Sequence, residues 1–318
     1  MLHALAGTAA WAAALSCPCI PRTAQMTERG AVESVGERLG LALTAGRPIV
    51  AGERRTYYAE LAGTPVVVKW GLDPDLPEKL PYVAGQVPEL RRRGIPVPRI
   101  LAHGPLDDDS YGWVLERLPG APATVFGEPL LGDLIGLITR MAGVPPGPHR
   151  NDLGYWVPAA VFDDAARYWE TAMAMGPAVA GFCLRLRAWA GRPSSGQAPG
   201  HGYVHVDLNL SNILVRDGRL SGVIDTEHLG IGDRCVDLAR LAFEWHWLAR
   251  AGTAGLAADG MGRLAALGRA LSGDAWWRVA VAYELISRVG WRSEHHTEIE
   301  PLSWLPACAE FLDAPAIR

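Results

Sequence analysis

The residues best placed to do chemistry lie in one stretch, Tyr203 to Leu241, YVHVDLNLSNILVRDGRLSGVIDTEHLGIGDRCVDLARL. It holds His205, Asp207 and Asn212 at the spacing H-x-D-x-x-x-x-N, and ends a second apolar run on Asp225. The runs Ile213–Val215 and Leu220–Ile224 flank Asp217-Gly218. Asp-Gly between apolar runs predicts a β-hairpin, because a type I′ turn needs positive φ at both central residues. The hairpin brings Asn212 at its entry close to Asp225 at its exit. Two oxygen ligands so placed, with Asp207 just upstream, suit a phosphate-bound Mg²⁺, an ion usually held by one or two protein groups plus substrate phosphates.

Phosphoryl transfer from ATP needs its phosphates held, their charge neutralised by Lys and Mg²⁺, and a carboxylate to orient the acceptor hydroxyl. Each part has a candidate. Lys69 ends the run Val66-Val67-Val68-Lys69-Trp70 and can reach the phosphates. Asp207 can take or orient the hydroxyl proton, a role worth about 10²–10⁴-fold in rate. Asn212 and Asp225 are candidate metal ligands, Glu227 is a further one, and Gly52 sits in a turn whose amides can cover phosphates. Singly these signals are weak. A strand lysine is ordinarily a solvated edge residue, and Gly52 lacks a full G-x-G-x-x-G. His205, Asp233 and Asp237 read as structural, Asp237 meeting the start of a helix where an acid is favoured. The weight rests on Asp207, Asn212 and Asp225 as a spaced set, with Lys69 upstream.

The elements that must position this set follow in order. Apolar residues from Ala31 to Ala45 recur at near-helical spacing and predict a helix. Residues 48–61 read as two strands around the Gly52 turn, and Val66–Trp70 as a third. Leu76 to Arg93 reads as mainly helical, interrupted by Pro77, Pro81 and Pro88. Ile100–Ala102 and Tyr111–Glu116 are two further strands, joined through an acidic tip, Asp107–Asp109. Helical patterns then run over 130–141, 161–175 and 179–189, and beyond the hairpin over 236–251, 261–271 and 275–289. This is an α+β plan: a small antiparallel β N-lobe at 31–118 and a larger helical C-lobe at 119–318, with a ligand cleft expected between them. Residues 1–30 are expected to form a disordered extension, their apolar run lacking the basic start of a signal peptide.

With 49% hydrophobic and 20% charged residues, the 318-residue chain has ordinary globular composition. A net charge of -4 gives no footprint for nucleic acid, and no segment reads as membrane-spanning. Five scattered cysteines argue against a disulfide framework or zinc site, and fit a reducing, cytoplasmic compartment.

The stretch VHVDLNLSNILVRDGRLSGVIDTEHLGIGDRCVDLARL resembles the catalytic and metal loops of the aminoglycoside phosphotransferase and choline kinase superfamily, which shares the two-lobed protein kinase-like fold. The resemblance runs from about Pro48 through VVVKW, GIPVPRIL and WVLERLPG. It implies that Asp207 is the catalytic base, that Asn212 and Asp225 bind metal, and that Lys69 contacts the phosphates. It also implies that the backbone at Glu116, Arg117 and Leu118 meets the adenine, and that Glu227 matches an acid of several members. Two departures stand out: the usual H-G-D is His205-Val206-Asp207, and H-P-G before the asparagine is Asn209-Leu210-Ser211. Glu78 and Glu89 both sit off the register expected of a lysine partner, Glu78 being weakly favoured.

The implied activity is ATP- and Mg²⁺-dependent phosphorylation of a hydroxylated small molecule, an aminoglycoside-like antibiotic or aminosugar in the first place. An acid-rich segment, Arg292 to Glu300, could hold a cationic acceptor, although a solvated loop accounts for it slightly better. The tryptophans 245, 247, 276, 277 and 291 could stack on a sugar or cage an ammonium, but core packing accounts for most of them. The rivals are a metabolic kinase for choline, homoserine or a sugar, and a non-catalytic pseudokinase. A protein kinase is disfavoured, since neither D-F-G nor A-P-E occurs where expected.

Overall fold

The computed structural model describes residues 28–49, 55–71, 75–106, 110–143, 153–193, 201–295 and 304–318. They divide into two compact units, one reaching Arg91 and including Val97–Leu118, the other holding Arg92–Pro96 and Pro119–Arg318.

The first unit opens with helix α1 (Glu28–Arg38), shorter than the periodicity over 31–45 predicts. Gly40, at φ 69°, turns the chain, and Leu43 enters strand β1 (Leu43–Pro48), where it pairs with Leu61 of β2 (Arg55–Leu61). Strands β3 (Thr64–Gly71), β4 (Ile100–Pro105) and β5 (Tyr111–Glu116) complete an antiparallel sheet in the order β1-β2-β3-β5-β4. Successive side chains of a strand point to opposite faces, and the two faces have different partners. Val66, Val68 and Trp70 of β3 join Val114 and the α1 residues Val32 and Val35 in one apolar cluster. Trp113 and Leu115 of β5 pack on Leu76 and Leu80 of α2 (Leu76–Arg92), with Val67 against them. Burying each such side chain stabilises by roughly 1.5–3 kcal/mol. Helix α2 runs unbroken past Pro81 and Pro88, both exposed, because Leu76, Leu80, Val83, Val87 and Leu90 form its buried face.

In the second unit, a three-stranded sheet is ordered β6 (Ala121–Pro122), β8 (Ile213–Arg216), β9 (Arg219–Val223), and a two-stranded one pairs β7 (Gly202–Val204) with β10 (Gly230–Gly232). The remaining long elements among the described residues are helices: α3 (Glu128–Arg140), α4 (Leu153–Phe162), α5 (Arg167–Ala174), α6 (Pro177–Ala190), α7 (Cys235–Arg250), α8 (Gly260–His295) and α9 (Leu305–Asp313). The single helix expected over 161–175 is two, broken where Asp163 Oδ1 accepts from the Ala165 amide at 3.0 Å. Such a local bond offers the backbone an alternative to the helix. Helix α8 is likewise bent at Gly273 (φ 77°, ψ 160°), which separates the patterns read at 261–271 and 275–289. Helix α7 packs along α8 with Leu238, Ala239, Leu241, Ala242 and Phe243 buried. Cys183, Cys235 and Cys308 are buried. Among the described residues no helix is long and apolar enough to cross a membrane.

Candidate active site

The β8–β9 hairpin forms as its turn chemistry predicts, with φ 54° at Asp217 and 72° at Gly218. It has one irregularity, between Leu214 and Val215, near which Ser221 Oγ donates to the Pro119 carbonyl at 2.7 Å. Helix α3 grips the outer end: Asp133 accepts from Arg219 Nε and Nη2 at 2.8 and 2.6 Å and from the Leu220 amide at 3.0 Å. These bonds hold the Asp133 carboxyl below the usual carboxylate range. At the inner end Val223 pairs with Ile213, and the next amide, of Ile224, donates to the Asn212 carbonyl at 2.9 Å. Asn212 therefore lies across from the residue that precedes Asp225.

Asp207 sits in a short loop between β7 and the 3-10 turn Leu210–Asn212. Asn212 Nδ2 donates to both the Asp207 carbonyl and its Oδ2, each at 2.9 Å. Asn209 Nδ2 donates to Asp207 Oδ1 at 3.0 Å, and Asn209 Oδ1 caps the turn by accepting from the Ser211 amide at 3.0 Å. Arg240 Nη2 donates to Asp207 Oδ1 as well. His205 is buried and its Nε2 lies 2.8 Å from the Ile224 carbonyl, so the ring ties the loop to the strand end that carries Asp225.

One face of α7 holds this whole loop. Asp237, fully buried, accepts from the amides of His205 and Val206 at 2.8 and 2.9 Å. Three residues on, Arg240 reaches the Asp207 carboxylate, and a turn later Glu244 Oε2 accepts from the Leu210 amide at 3.0 Å. Burial pushes the Asp237 carboxyl up, and pushes that of Glu244 up to about 7, against the pull of Arg288 and Arg240. Arg240 also donates to Glu284 Oε2 at 3.3 Å, and Arg288 donates to Glu284 Oε1. The result is a chain of alternating charge, Asp207, Arg240, Glu284, Arg288, running from the partly exposed loop to the buried Glu284 of α8. Sequence reasoning missed Asn209, Arg240, Glu244 and Glu284. It also read Asp237 only as the acid at a helix start, although it serves the amides of a loop more than thirty residues upstream.

The loop carries an unusual backbone. Val206 has φ 71°, in the left-handed region where a β-branched residue is a genuine outlier. It stands at the position the resemblance gives to glycine. Asp225 is also left-handed (φ 64°, ψ 45°) and precedes the 3-10 turn Thr226–His228 without capping it through its side chain. Glu227 is buried within that turn.

The donor set around Asn212 and Asp225 fits Mg²⁺. Because its amide nitrogen is committed to Asp207, Asn212 offers Oδ1 as an acceptor, and Asp225 adds a carboxylate just past the shared hairpin bond. Both are the oxygen ligands that a hard cation takes. Among the described residues no cluster of three or more His, Cys, Asp and Glu side chains could hold an ion alone.

The candidate nucleotide residues that are described lie in the first unit. Lys69 is buried on the α2 side of the sheet, directly across from Trp113, with Nζ 5.5 Å from that ring's centroid. Glu116 is paired across β3 with Val66, and its carboxylate accepts from Arg91 Nη1 at 2.8 Å and Arg99 Nε at 3.2 Å. Arg117 lies over the Tyr58 ring, and Leu118 ends the unit. Glu78 is exposed in the first turn of α2, and Glu89 lies nearer its end. Gly52 and the Asp107–Asp109 tip lie outside the described residues, as do positions 296–300 of the acid-rich segment. Of the tryptophans, Trp276 and Trp277 are buried in the core, and Trp247 stacks face to face on Trp304 with centroids 4.0 Å apart.

The model of the phosphotransferase enzyme family matches residues 46–269. The chain belongs to that family. Solved structures share its fold. Aminoglycoside phosphotransferase APH(4)-Ia, as a thermostable mutant in ternary complex with ADP and hygromycin B, is 16% identical, with 90% of this chain and 98% of that chain covered and a TM-score of 0.65. The macrolide 2'-phosphotransferase MphH from Brachybacterium faecium is 17% identical, covering 91% and 99% with a TM-score of 0.56. A putative fructosamine-3-kinase from Haemophilus somnus 129PT is 12% identical, covering 88% and 96% with a TM-score of 0.56. No curated protein sequence matches the chain. The fold is thus protein kinase-like, an antiparallel β region followed by a helical one, and the family is one of phosphotransferases.

Proposed function

We propose that the chain is an ATP- and Mg²⁺-dependent kinase that phosphorylates a hydroxyl of a small molecule, in the first place an aminoglycoside-like antibiotic or aminosugar. The observation that carries this reading is the hydrogen-bonded set Asp207–Asn212, with Asp225 one residue beyond the amide bonded to Asn212. In this reading Asn212 and Asp225 hold Mg²⁺, which supplies charge neutralisation for the phosphates. Glu227 is a further ligand. Lys69 binds the phosphates, and the Glu116–Leu118 backbone meets the adenine. Asp207 accepts the acceptor's hydroxyl proton as the oxygen engages the γ-phosphorus. The structures that share the fold include one in complex with ADP and hygromycin B, which supports a nucleotide and a small-molecule acceptor. Family membership also accommodates a metabolic kinase for choline, homoserine or a sugar.

The test is transfer of the γ-phosphoryl group of labelled ATP, with Mg²⁺, to hygromycin B, other aminoglycosides, a macrolide, choline, homoserine and simple sugars. A labelled product from an aminoglycoside supports the reading, and one from choline, homoserine or a sugar alone replaces it with the metabolic alternative. Failure to bind Mg-ATP would leave a non-catalytic module.

A further inference from the structure

An ionised carboxylate offers about four lone-pair sites, two on each oxygen. Three of those on Asp207 are taken: Oδ1 accepts from Asn209 at 3.0 Å and from Arg240, and Oδ2 accepts from Asn212 at 2.9 Å. We propose that Arg240 is a positioning residue for phosphoryl transfer, saturating Oδ1 of Asp207 so that the remaining site on Oδ2 is the one that receives the acceptor's hydroxyl proton. The inference rests on the kinase reading above and adds to it an atom and a residue. In the step, the acceptor oxygen bonds to the γ-phosphorus and the bond from that phosphorus to the β,γ-bridging oxygen breaks. The bonding pair leaves with ADP, and the hydroxyl proton passes to Oδ2.

The surroundings of Arg240 are those of a group built to be held still. Its side chain is largely buried, and its guanidinium spans two carboxylates, Asp207 through Nη2 and Glu284 through Nη1 at 3.3 Å. Glu284 is in turn fixed by Arg288 one helical turn away. Burial works against the charge of Arg240, but the two carboxylates hold its pKa above the ordinary arginine value. Among the described residues its Nε has no hydrogen-bond partner, so the side chain's polar contacts run to these two acids. A planar fork can bridge two carboxylates at once, whereas an ammonium is a point charge. A lysine here therefore keeps the charge and loses the bridge.

The experiment measures ADP release from Mg-ATP, with hygromycin B and with water as acceptors, for the wild type, Arg240→Gln, Arg240→Lys, Asp207→Asn and the double variant Asp207→Asn/Arg240→Gln. Arg240→Gln is expected to lower kcat by about 10²-fold, the scale of a small misplacement of a reacting group, while KM for ATP stays within about threefold. Arg240→Lys is expected to recover about a tenth of wild-type kcat. Because Arg240 acts through Asp207, the double variant is expected to turn over no more slowly than Asp207→Asn alone. If Arg240→Gln fails to fold, the lysine variant carries the test, a tenfold loss in kcat at unchanged KM being the expected result. The inference is overturned if kcat of a folded Arg240 variant stays within threefold of wild type, or if the two losses multiply in the double variant. No ADP release by the wild type with water or with any acceptor of the panel named under the proposed function overturns the kinase reading itself and takes this inference with it; only the former outcomes leave the kinase standing.

Discussion

Asn212 is bonded to Asp207 twice, its one amide nitrogen donating to the main-chain carbonyl and to Oδ2 at 2.9 Å each. The residue proposed to bind metal thus also orients the residue proposed to take the proton. Substituting Asn212→Ala should therefore damage both functions. We expect turnover to fall by at least about 10²-fold and apparent Mg-ATP affinity to weaken as well. Asp207→Asn, by contrast, should lose turnover while binding Mg-ATP nearly as the wild type does. Steady-state kinetics with calorimetric binding separate the two patterns.

Asp225 meets Asn212 through the Ile224 amide, and its proposed role is confined to the metal. Asp225→Ala should abolish the Mg²⁺-dependent part of ATP affinity and leave metal-free ATP binding largely unchanged. Calorimetric titration of ATP with Mg²⁺ and with EDTA reads both quantities. Equal Mg-ATP affinity in the variant would remove Asp225 from the metal site.

Val206 is held at φ 71° by the two amide bonds to Asp237 that fix its own nitrogen and that of His205. Strain of this kind costs on the order of 1–3 kcal/mol, and glycine adopts the same backbone freely. Val206 is partly buried, so some packing is lost in exchange. We expect Val206→Gly to stabilise the chain by about 1 kcal/mol, raising Tm by about 2–4 °C in a thermal melt, without lowering turnover.

Glu244 carries a pH dependence of definite sign. Burial raises its folded-state pKa to about 7 from an ordinary value of 4.5. Between those two values the folded chain binds a proton that the unfolded chain has released, so stability falls as pH rises through that window. At about 1.4 kcal/mol per pKa unit the effect is roughly 3 kcal/mol. Glu244→Gln should keep the bond from the Leu210 amide and flatten the change of Tm between pH 5 and pH 7. A variant with the wild-type slope would place the dependence elsewhere.

Those features whose cause is local could be read from the sequence. Asp217-Gly218 specifies its turn through backbone sterics alone, and the alternation along Val66–Trp70 follows from the pleat, so the hairpin and the lysine strand were both legible. The helix expected to run on to Ala45 was not, because Leu43 has the spacing of a helix but a partner, Leu61, in a strand. The break at Asp163 had a legible cause in its Asx bond to Ala165. The set Asp207, Asn212, Asp225 could be picked out because a hairpin joins its ends. Arg240 and Glu244 could not, since each meets the loop across more than thirty residues, and along α7 they read only as polar positions in a helix. Only the packing of α7 beside the loop shows that Asp237, Arg240 and Glu244 share one face toward it.

The most direct test of the kinase reading is acceptor-dependent ADP release by the wild type beside Asp207→Ala, at saturating Mg-ATP, over the aminoglycoside, macrolide, choline, homoserine and sugar panel. The account predicts that at least one hydroxylated acceptor stimulates ADP release by the wild type, and that Asp207→Ala abolishes the stimulation while still binding Mg-ATP. Stimulated release that survives unchanged in Asp207→Ala would contradict it.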